Sequence, residues 1–140
     1  MEPNSKKKIC IIDDDNFLLD MYALKFNQNN FEVYTAPGAV QALEKVRGGL
    51  VPDIILLDVV MPEMDGFQFL ETLNKENLLR NTIKIILSNR GQQSDIEHGE
   101  QLGASGYIVK ANSTPAEIVA RVIEMVKAGA EKPPSIPQQP

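Results

Sequence analysis

The stretch that decides the fold is DIILLDVVMPEMDG, residues 53–66. Its apolar run, Ile54 to Leu57, is typical of a strand that is buried on both faces, as in the middle of a parallel sheet. The run ends at a carboxylate, Asp58. A charge at the edge of a buried strand is costly unless another group pairs with it or coordinates it. Asp58 is therefore the first candidate for a functional residue.

Strand-like and helix-like segments alternate along the rest of the chain. Apolar or alternating residues predict five strands, and apolar residues at helical spacing predict helices between them. In the first helix, Phe17, Met21 and Leu24 share one face. A T-x-x-E capping box at Thr114, followed by Pro115, predicts the start of a fifth helix. The predicted strands are 8–13, 31–36, 53–58, 83–88 and 106–110, and the predicted helices are 16–28, 38–47, 67–76, 94–103 and 115–128.

Five strand–helix units predict an α/β fold, in which a doubly wound parallel sheet has helices on both faces. The segments 9–12, 54–57 and 85–87 are continuously apolar, which predicts that these strands are central. The strand at 31–36 alternates between apolar and polar residues and fits an edge of the sheet.

Composition limits the class of protein. The 140 residues carry 14 basic and 19 acidic side chains, a net charge of −5, which argues against a direct nucleic-acid interface. The single cysteine, Cys10, excludes an intrachain disulfide and is expected to be buried. Without a membrane-spanning apolar run or a secretory signal, we expect a cytoplasmic protein with no membrane contact. One domain is expected at residues 8–128, between a lead-in at 1–7 and a Pro-rich tail or linker at 129–140.

Polar residues end four of the predicted strands. The first strand ends in a run of three aspartates at 13–15, and the third ends at Asp58. The fourth strand ends at Ser88, and the fifth ends at Lys110. The carboxyl ends of parallel strands meet at one edge, where such sheets bind ligands. Clustered carboxylates repel one another, and Mg²⁺, which prefers oxygen ligands, relieves that repulsion. A hydroxyl and an ammonium can hold a phosphoryl group, and Asp58 can be the nucleophile that receives it. The acidic run could equally serve only to cap the first helix.

The pieces IIDDD, ILLDVVMPEMDG, IILSN and GASGYIVKA occur in this order and cover nearly the whole chain, from residue 8 to about 128. In these pieces the chain resembles the receiver domain of bacterial two-component response regulators. The resemblance implies a flavodoxin-like sheet of strand order 2-1-3-4-5 with five helices. It also implies that Asp58 accepts a phosphoryl group from a phosphohistidine on a sensor histidine kinase or a histidine phosphotransfer protein.

The resemblance further implies a set of metal ligands. Asp14 and Asp58 would bind Mg²⁺ directly, together with the backbone carbonyl of Val60. Asp13 would act largely through a bound water molecule. The loop after the acceptor would be shaped by Met61-Pro62 and Gly66.

A switch is implied as well. Ser88 and Lys110 would hold the phosphoryl oxygens, and Ser88 would move towards them. Tyr107 would then turn inward from a more exposed rotamer. The surface of the fourth helix, fifth strand and fifth helix would change its affinity for a downstream protein target or output domain.

Several positions depart from the pattern of the family. Ala111 stands where proline is usual, which predicts a more mobile loop, and Ser88 replaces the commoner threonine. Asn89 is larger than the usual alanine or glycine and is expected to slow small phosphodonors. Val60 and Arg90 occupy the positions that tune phosphoryl lifetime in the family. Because an apolar Val60 cannot orient an attacking water, the hypothesis is a long-lived phosphorylated state.

Two other functions compete with a phosphorylation-controlled switch, which would catalyse only its own phosphorylation and dephosphorylation. One is an Mg²⁺-dependent phosphatase with an aspartate nucleophile, for which Asp13 and Asp15 offer the D-x-D spacing. The other is a receiver-like binding module without phosphorylation, or a flavin carrier on the same architecture. His98, the single histidine, is expected to be exposed on a helix away from the acidic edge, without a partner for a metal site.

Overall fold

The computed structural model describes residues 6–131 and shows a five-stranded parallel sheet between two layers of helices. The strand order is β2-β1-β3-β4-β5, which confirms the doubly wound, flavodoxin-like fold. The elements are β1 (Lys7–Ile12), α1 (Asn16–Gln28), β2 (Phe31–Ala36), α2 (Ala39–Arg47), β3 (Ile54–Leu57), α3 (Gly66–Lys75), β4 (Ile83–Ser88), α4 (Gln93–Gln101), β5 (Gly106–Val109), a 3₁₀ turn (Lys110–Asn112) and α5 (Pro115–Glu131).

The sheet register brings the ends of the central strands level with one another. Ile12, the last residue of β1, lies opposite Leu57, the last residue of β3, and Leu57 lies opposite Ile86 of β4. The N–H of Asp58 continues the ladder by donating to the carbonyl of Ile12 at 3.0 Å. Because the strands are parallel, the residues that follow β1 and β3 leave the sheet at the same edge. The central positions of β1, β3 and β4 and the edge position of β2 are confirmed.

The core has two halves, one on each face of the sheet, because successive strand side chains point to opposite faces. On one face α2 and α3 pack on the sheet, and on the other face α1 and α5 do. The first half contains Cys10, Ile12, Ile55, Leu57, Ile86 and the buried sides of α2 and α3. The second contains Ile9, Ile11, Ile54, Leu56, Ile85, Leu87 and the buried sides of α1 and α5.

Helix α1 turns a different side to the core from the one that its apolar spacing suggested. Phe17 is 70% exposed and Leu24 is 59% exposed, so the face that they share points to solvent. The buried stripe is Leu19, Tyr22 and Phe26, and Phe26 packs edge-on against the first residue of β2. This helix therefore has two apolar stripes, and the one with the aromatic contact to β2 faces the sheet.

The ends of the domain differ slightly from the prediction. Helix α5 begins at Pro115, as the capping box indicated, and Thr114 and Glu117 each accept the backbone N–H of the other. The helix continues to Glu131, past Gly129, and the remainder of the predicted tail lies outside the described residues, as do residues 1–5 of the lead-in. None of the helices in the described part of the chain is long and apolar enough to cross a membrane.

Candidate functional site

Three carboxylates meet at the carboxyl edge of the sheet. Asp13, Asp14 and Asp58 each place one carboxylate oxygen within 4.8 Å of the other two. Asp13 is 2% exposed and Asp58 is 8% exposed, whereas Asp14 is open to solvent. Oxygen donors at this spacing, with one side open to water, suit Mg²⁺, which keeps several water ligands and takes few from protein. The chemistry of the donor set thus fits the cation that the sequence suggested.

The ammonium of Lys110 lies between the two buried carboxylates. Its Nζ is 2.9 Å from Oδ2 of Asp13 and 3.1 Å from Oδ2 of Asp58. Burial acts to lower the pKa of Lys110, but its hydrogen bond to Asp13 and the charge of Asp58 outweigh that effect, so the pKa stands above its ordinary value. Lys110 is therefore a fixed positive charge, aimed at the point where the two carboxylates meet.

The carboxyl group of Asp58 is held at both oxygens. Its Oδ1 accepts a hydrogen bond of 2.7 Å from the N–H of Val59, and its Oδ2 faces Lys110. Burial raises the pKa of Asp58 above the ordinary value; the Lys110 charge opposes that rise, and the charge of Asp13 adds to it. In a site without a cation, ionised Asp58 is thus less stable than it would be in water, which favours binding of a cation there.

The loop after Asp58 folds back closely against the Asp58 backbone. The N–H of Gly66 donates to the carbonyl of Val59 at 2.8 Å, and Asp65 caps α3 in a reciprocal capping box with Gln68. A Cβ at Gly66 would fall on the Asp58 backbone, well inside the 3.0 Å that Cβ atoms keep from other atoms. Only glycine lets α3 begin this close to the Asp58 backbone. The D-x-x-Q capping signal stands in the sequence and could have been recognised there.

Ser88 ends β4 close by and is fully buried. Its Oγ accepts a hydrogen bond of 3.1 Å from the N–H of Arg90. Tyr107 of β5 is half-buried, and its hydroxyl donates to the carbonyl of Arg90. Both proposed switch residues thus contact the same backbone unit in the β4–α4 loop. In this structure Tyr107 is already turned towards that loop, and its movement remains a prediction.

Asp15 has a separate task from its two neighbours. Its side chain accepts the N–H of Leu18 at 3.1 Å and caps α1. Asp13 in turn accepts the N–H of Asp15 at 2.9 Å. The capping interpretation of the acidic run is therefore confirmed for Asp15, and the metal-binding interpretation stays a prediction for Asp13 and Asp14. Because Asp15 is engaged as the helix cap, the D-x-D arrangement expected of a phosphatase receives no support from the geometry.

The remaining departures lie around the rim of the site. Val60 follows directly after the acceptor strand with its side chain exposed, and Asn89 is exposed after β4. Ala111 lies within the 3₁₀ turn that begins at Lys110. The part played by the carbonyl of Val60, the effect of Asn89 on small donors and the mobility of the loop at Ala111 stay predictions.

Sequence reasoning missed a polar cluster beside the site. Asp95 in the first turn of α4 is buried and forms an ion pair with Arg90. His98 is half-buried and its ring packs on that of Phe67, with 4.3 Å between ring centroids, so the expectation of a merely exposed histidine was wrong. No motif links these positions, because they come from a loop and two helices that only the folded chain brings together.

Comparison with known proteins agrees with this geometry. The family model described as the response regulator receiver domain matches residues 9–123. The phosphate regulon transcriptional regulatory protein PhoB of Escherichia coli K12 is 32% identical over 116 residues, covering 83% of this chain and 50% of PhoB. The alkaline phosphatase synthesis transcriptional regulatory protein PhoP of Bacillus subtilis is 30% identical over 129 residues, covering 92% of this chain and 52% of PhoP. The chain thus spans about half the length of the curated relatives it matches.

Solved structures give the same answer for the fold. A CheY-like receiver domain from Methanospirillum hungatei superposes with a TM-score of 0.79 at 26% identity, covering 91% of this chain and 98% of that chain. The chemotaxis protein CheY4 of Vibrio cholerae superposes with a TM-score of 0.78 at 25% identity, covering 86% and 99%. With the family match, the strand order and the acidic edge in agreement, the chain belongs to the response regulator receiver domain family.

Proposed function

We propose that Asp58 accepts a phosphoryl group from a phosphohistidine on a partner protein and that Mg²⁺ assists the transfer. One observation carries this proposal: the carboxylates of Asp13, Asp14 and Asp58 converge within 4.8 Å, and Lys110 contacts two of them. An aspartate can act as a nucleophile when neighbouring groups neutralise the charge that it brings towards a phosphate. The protein would serve as a signalling switch and not as a turnover enzyme.

Each residue has a definable task in the transfer. A carboxylate oxygen of Asp58 forms the new P–O bond as the P–N bond to the donor imidazole breaks, and the bonding electron pair returns to the imidazole nitrogen. Lys110, already 3.1 Å from Asp58, neutralises a phosphoryl oxygen. Ser88 donates its hydroxyl to another phosphoryl oxygen. When bound by Asp13, Asp14 and Asp58, Mg²⁺ supplies charge neutralisation for the same oxygens.

The switch follows from a second hydrogen bond that phosphorylation offers to Ser88, which can donate its O–H to a phosphoryl oxygen. In this structure the Ser88 hydroxyl is engaged by the N–H of Arg90. A phosphoryl group on Asp58 adds strong acceptor oxygens that attract the hydroxyl towards the acceptor. The β4–α4 loop and Tyr107, which bonds to the same loop, then adopt a second arrangement. A downstream target or output domain that prefers the second arrangement shifts the equilibrium towards it.

A protein donor fits this site better than a small molecule does. Two exposed apolar side chains, Phe17 and Val60, follow the ends of β1 and β3 and flank the acidic edge. Apolar groups at the rim offer contact area to a protein that delivers phosphohistidine, such as a sensor histidine kinase or a phosphotransfer protein. PhoB and PhoP are named as transcriptional regulators, and by analogy we propose an output in transcription for this receiver domain.

Intact-mass measurement tests the acceptor directly. The domain is incubated with Mg²⁺ and acetyl phosphate, and in a second series with a phosphorylated histidine kinase. We expect one added phosphoryl group on the wild type and none on Asp58→Asn or in EDTA. Asp20→Asn is the matched control, because it removes the same charge from an exposed position on α1. Phosphorylation of Asp58→Asn to the wild-type level would refute the assignment.

Phosphoryl lifetime is the finer part of the proposal. Val60 presents an exposed apolar side chain beside the acceptor and has no group that could orient a water for hydrolysis. We therefore expect a long-lived phosphorylated state that Val60→Asn shortens. The mass assay followed over time gives the half-life. A wild-type half-life of seconds would contradict this part of the proposal and leave the acceptor assignment intact.

A further inference from the structure

Arg90 is the point at which both switch residues meet. Its backbone N–H donates to the Ser88 hydroxyl at 3.1 Å, and its backbone carbonyl accepts from the Tyr107 hydroxyl. The backbone of Arg90 is therefore hydrogen-bonded both to Ser88, at the end of β4, and to Tyr107, on β5. A movement that carries the Ser88 Oγ away from the Arg90 N–H lengthens this 3.1 Å hydrogen bond and loosens one side of the Arg90 backbone.

The side chain of Arg90 contacts one residue on each of two helices, α4 and α3. Its Nη2 lies 3.0 Å from Oδ1 of Asp95, in the first turn of α4. Its guanidinium carbon lies 5.9 Å from the centroid of the Phe67 ring, within the range of a cation–π contact. Phe67 is the second residue of α3, next to Gly66, and its ring packs on His98 of α4.

The pairing partner explains why this contact matters more than an ordinary surface ion pair. Exposed pairs contribute little because water competes with both partners. Here the Arg90 side chain is 51% exposed but that of Asp95 is only 11% exposed, and in the described part of the chain Arg90 is the one basic side chain within ion-pair distance of it. A buried carboxylate follows the group that neutralises it, because separation would leave it unpaired in a poor solvent. Displacement of Arg90 therefore acts on the amino-terminal turn of α4.

From these contacts we infer that Arg90 is the positioning residue that transmits the movement of Ser88 to helix α4 through Asp95. This inference rests on the proposed function and deepens it, because it assigns a side chain to the step between the acceptor and the partner surface. Arg90 touches no reacting atom. Its backbone N–H is hydrogen-bonded to Ser88, and its guanidinium is paired with Asp95, so a displacement of Arg90 also displaces Asp95.

The test measures the response of α4 to loading of the acceptor, with beryllofluoride and Mg²⁺ as a stable analogue of the phosphoryl group. Backbone amide resonances of ¹⁵N-labelled protein report two regions separately. The amides of Val59 and Ser88 report occupation of the acceptor. The amides of Ile96 and Gly99 report the response of α4. If Arg90 had a purely structural role, its substitution would change the spectrum by the same amount with and without the analogue.

In the wild type we expect both regions to shift on loading. In Arg90→Gln the Val59 and Ser88 shifts are retained, while the α4 shifts fall by about two-fold or more, as expected when a coupling contact is lost. Asp95→Asn gives the same loss, and the double variant gives no further loss because both changes remove one connection. Arg90→Lys retains a charge and restores part of the α4 response.

Arg80→Gln is the matched control, because it removes an exposed arginine before β4, away from the acceptor edge. It should leave every loading shift unchanged. A full α4 response in Arg90→Gln, with the acceptor occupied, would overturn the role of Arg90 and leave the acceptor assignment standing. Absence of the Val59 and Ser88 shifts in the wild type would overturn the proposed function and this inference with it.

Discussion

Gly66→Ala is a sharp test of how the acceptor loop is built. The added methyl group would stand 3.0 Å from Cα of Val59 and 3.2 Å from the carbonyl carbon of Asp58, and closer still to the Asp58 carbonyl oxygen. All three neighbours are backbone atoms just after the central strand. They cannot rotate away as a flexible side chain would, so the start of α3 or the acceptor segment itself has to move.

The size of the effect follows from these contacts. Relief of the clash needs a shift of roughly half an ångström or more in a packed region, and overpacking of this kind costs about 1–3 kcal/mol. The rigidity of the backbone neighbours puts Gly66→Ala at the upper end of that range. Alanine regains up to about 1 kcal/mol through its higher helix propensity. The net loss in the free energy of unfolding is therefore about 2 kcal/mol, equivalent to a fall in Tm of roughly 8 °C.

Urea unfolding and thermal unfolding, followed by circular dichroism in EDTA, measure this loss. Gly48→Ala is the control, because Gly48 has φ −81° at the end of α2 and its Cβ would come no closer than 3.3 Å to the carbonyl oxygen of Glu44. We expect Gly48→Ala to be neutral or slightly stabilising. If Gly66→Ala unfolds within about 0.5 kcal/mol of the wild type, the close approach of α3 to Asp58 is not the reason for glycine at this position.

Three further predictions concern charge and burial. Lys110→Met leaves Asp13 and Asp58 buried without a cation, so we expect a loss of about 3 kcal/mol in the free energy of unfolding at neutral pH. Burial raises the pKa of Asp58, so part of this loss should be recovered in acid, at about pH 5, as Asp58 takes up a proton; an equal loss at both pH values would contradict this. Burial raises the folded pKa of Asp58 above the unfolded value of 3.8, so its contribution to stability is present below that pH and is lost as the pH rises through the folded pKa. In EDTA, Asp58→Asn should therefore reduce the loss of unfolding free energy as the pH rises from 3.8 through the folded pKa. An unchanged pH dependence of the unfolding free energy, from urea titrations at several pH values, would count against this. Burial raises the pKa of the Cys10 thiol to about 11, so we expect a thiol reagent to label it only in urea; rapid labelling of the native protein would show that β1 opens.

Much of the fold could be predicted because the local signals agree with the tertiary structure. The apolar run at 54–57 is buried along its whole length and lies at the centre of the sheet. Helix α1 shows where local spacing is not enough, since it carries two apolar stripes. Packing against the sheet and α5, which includes the contact of Phe26 with Phe31, decides which stripe is buried. That choice depends on packing against another element and not on the period of the helix.

The functional site, like the fold, has some features that the sequence predicts and others that only the folded structure shows. The carboxyl ends of parallel strands share an edge, so the positions of Asp13, Asp58 and Lys110 at the ends of their strands are enough to predict that they meet. The partners of Asp95 and Lys84 could not be predicted. Lys84 interrupts an apolar strand, and its ammonium is buried, where it donates to the carbonyls of Leu79 and Thr82 at 2.6 and 3.2 Å. Partners that are backbone atoms in a loop leave no mark in the sequence.

The charge of the acidic edge is a physical reason to expect that a cation binds before a phosphoryl group arrives. Three carboxylates, from Asp13, Asp14 and Asp58, face one ammonium, from Lys110, so the cluster carries a net charge of −2. A phosphoryl group brings roughly −1.5 to −2 more, into a region where two of the three acids are already buried. A divalent cation cancels the resting charge, and the hydroxyl of Ser88 and the ammonium of Lys110 are left to compensate the phosphoryl oxygens. We therefore expect phosphorylation to require Mg²⁺ and Ser88 to move towards Asp58, in both cases because of the same excess of negative charge.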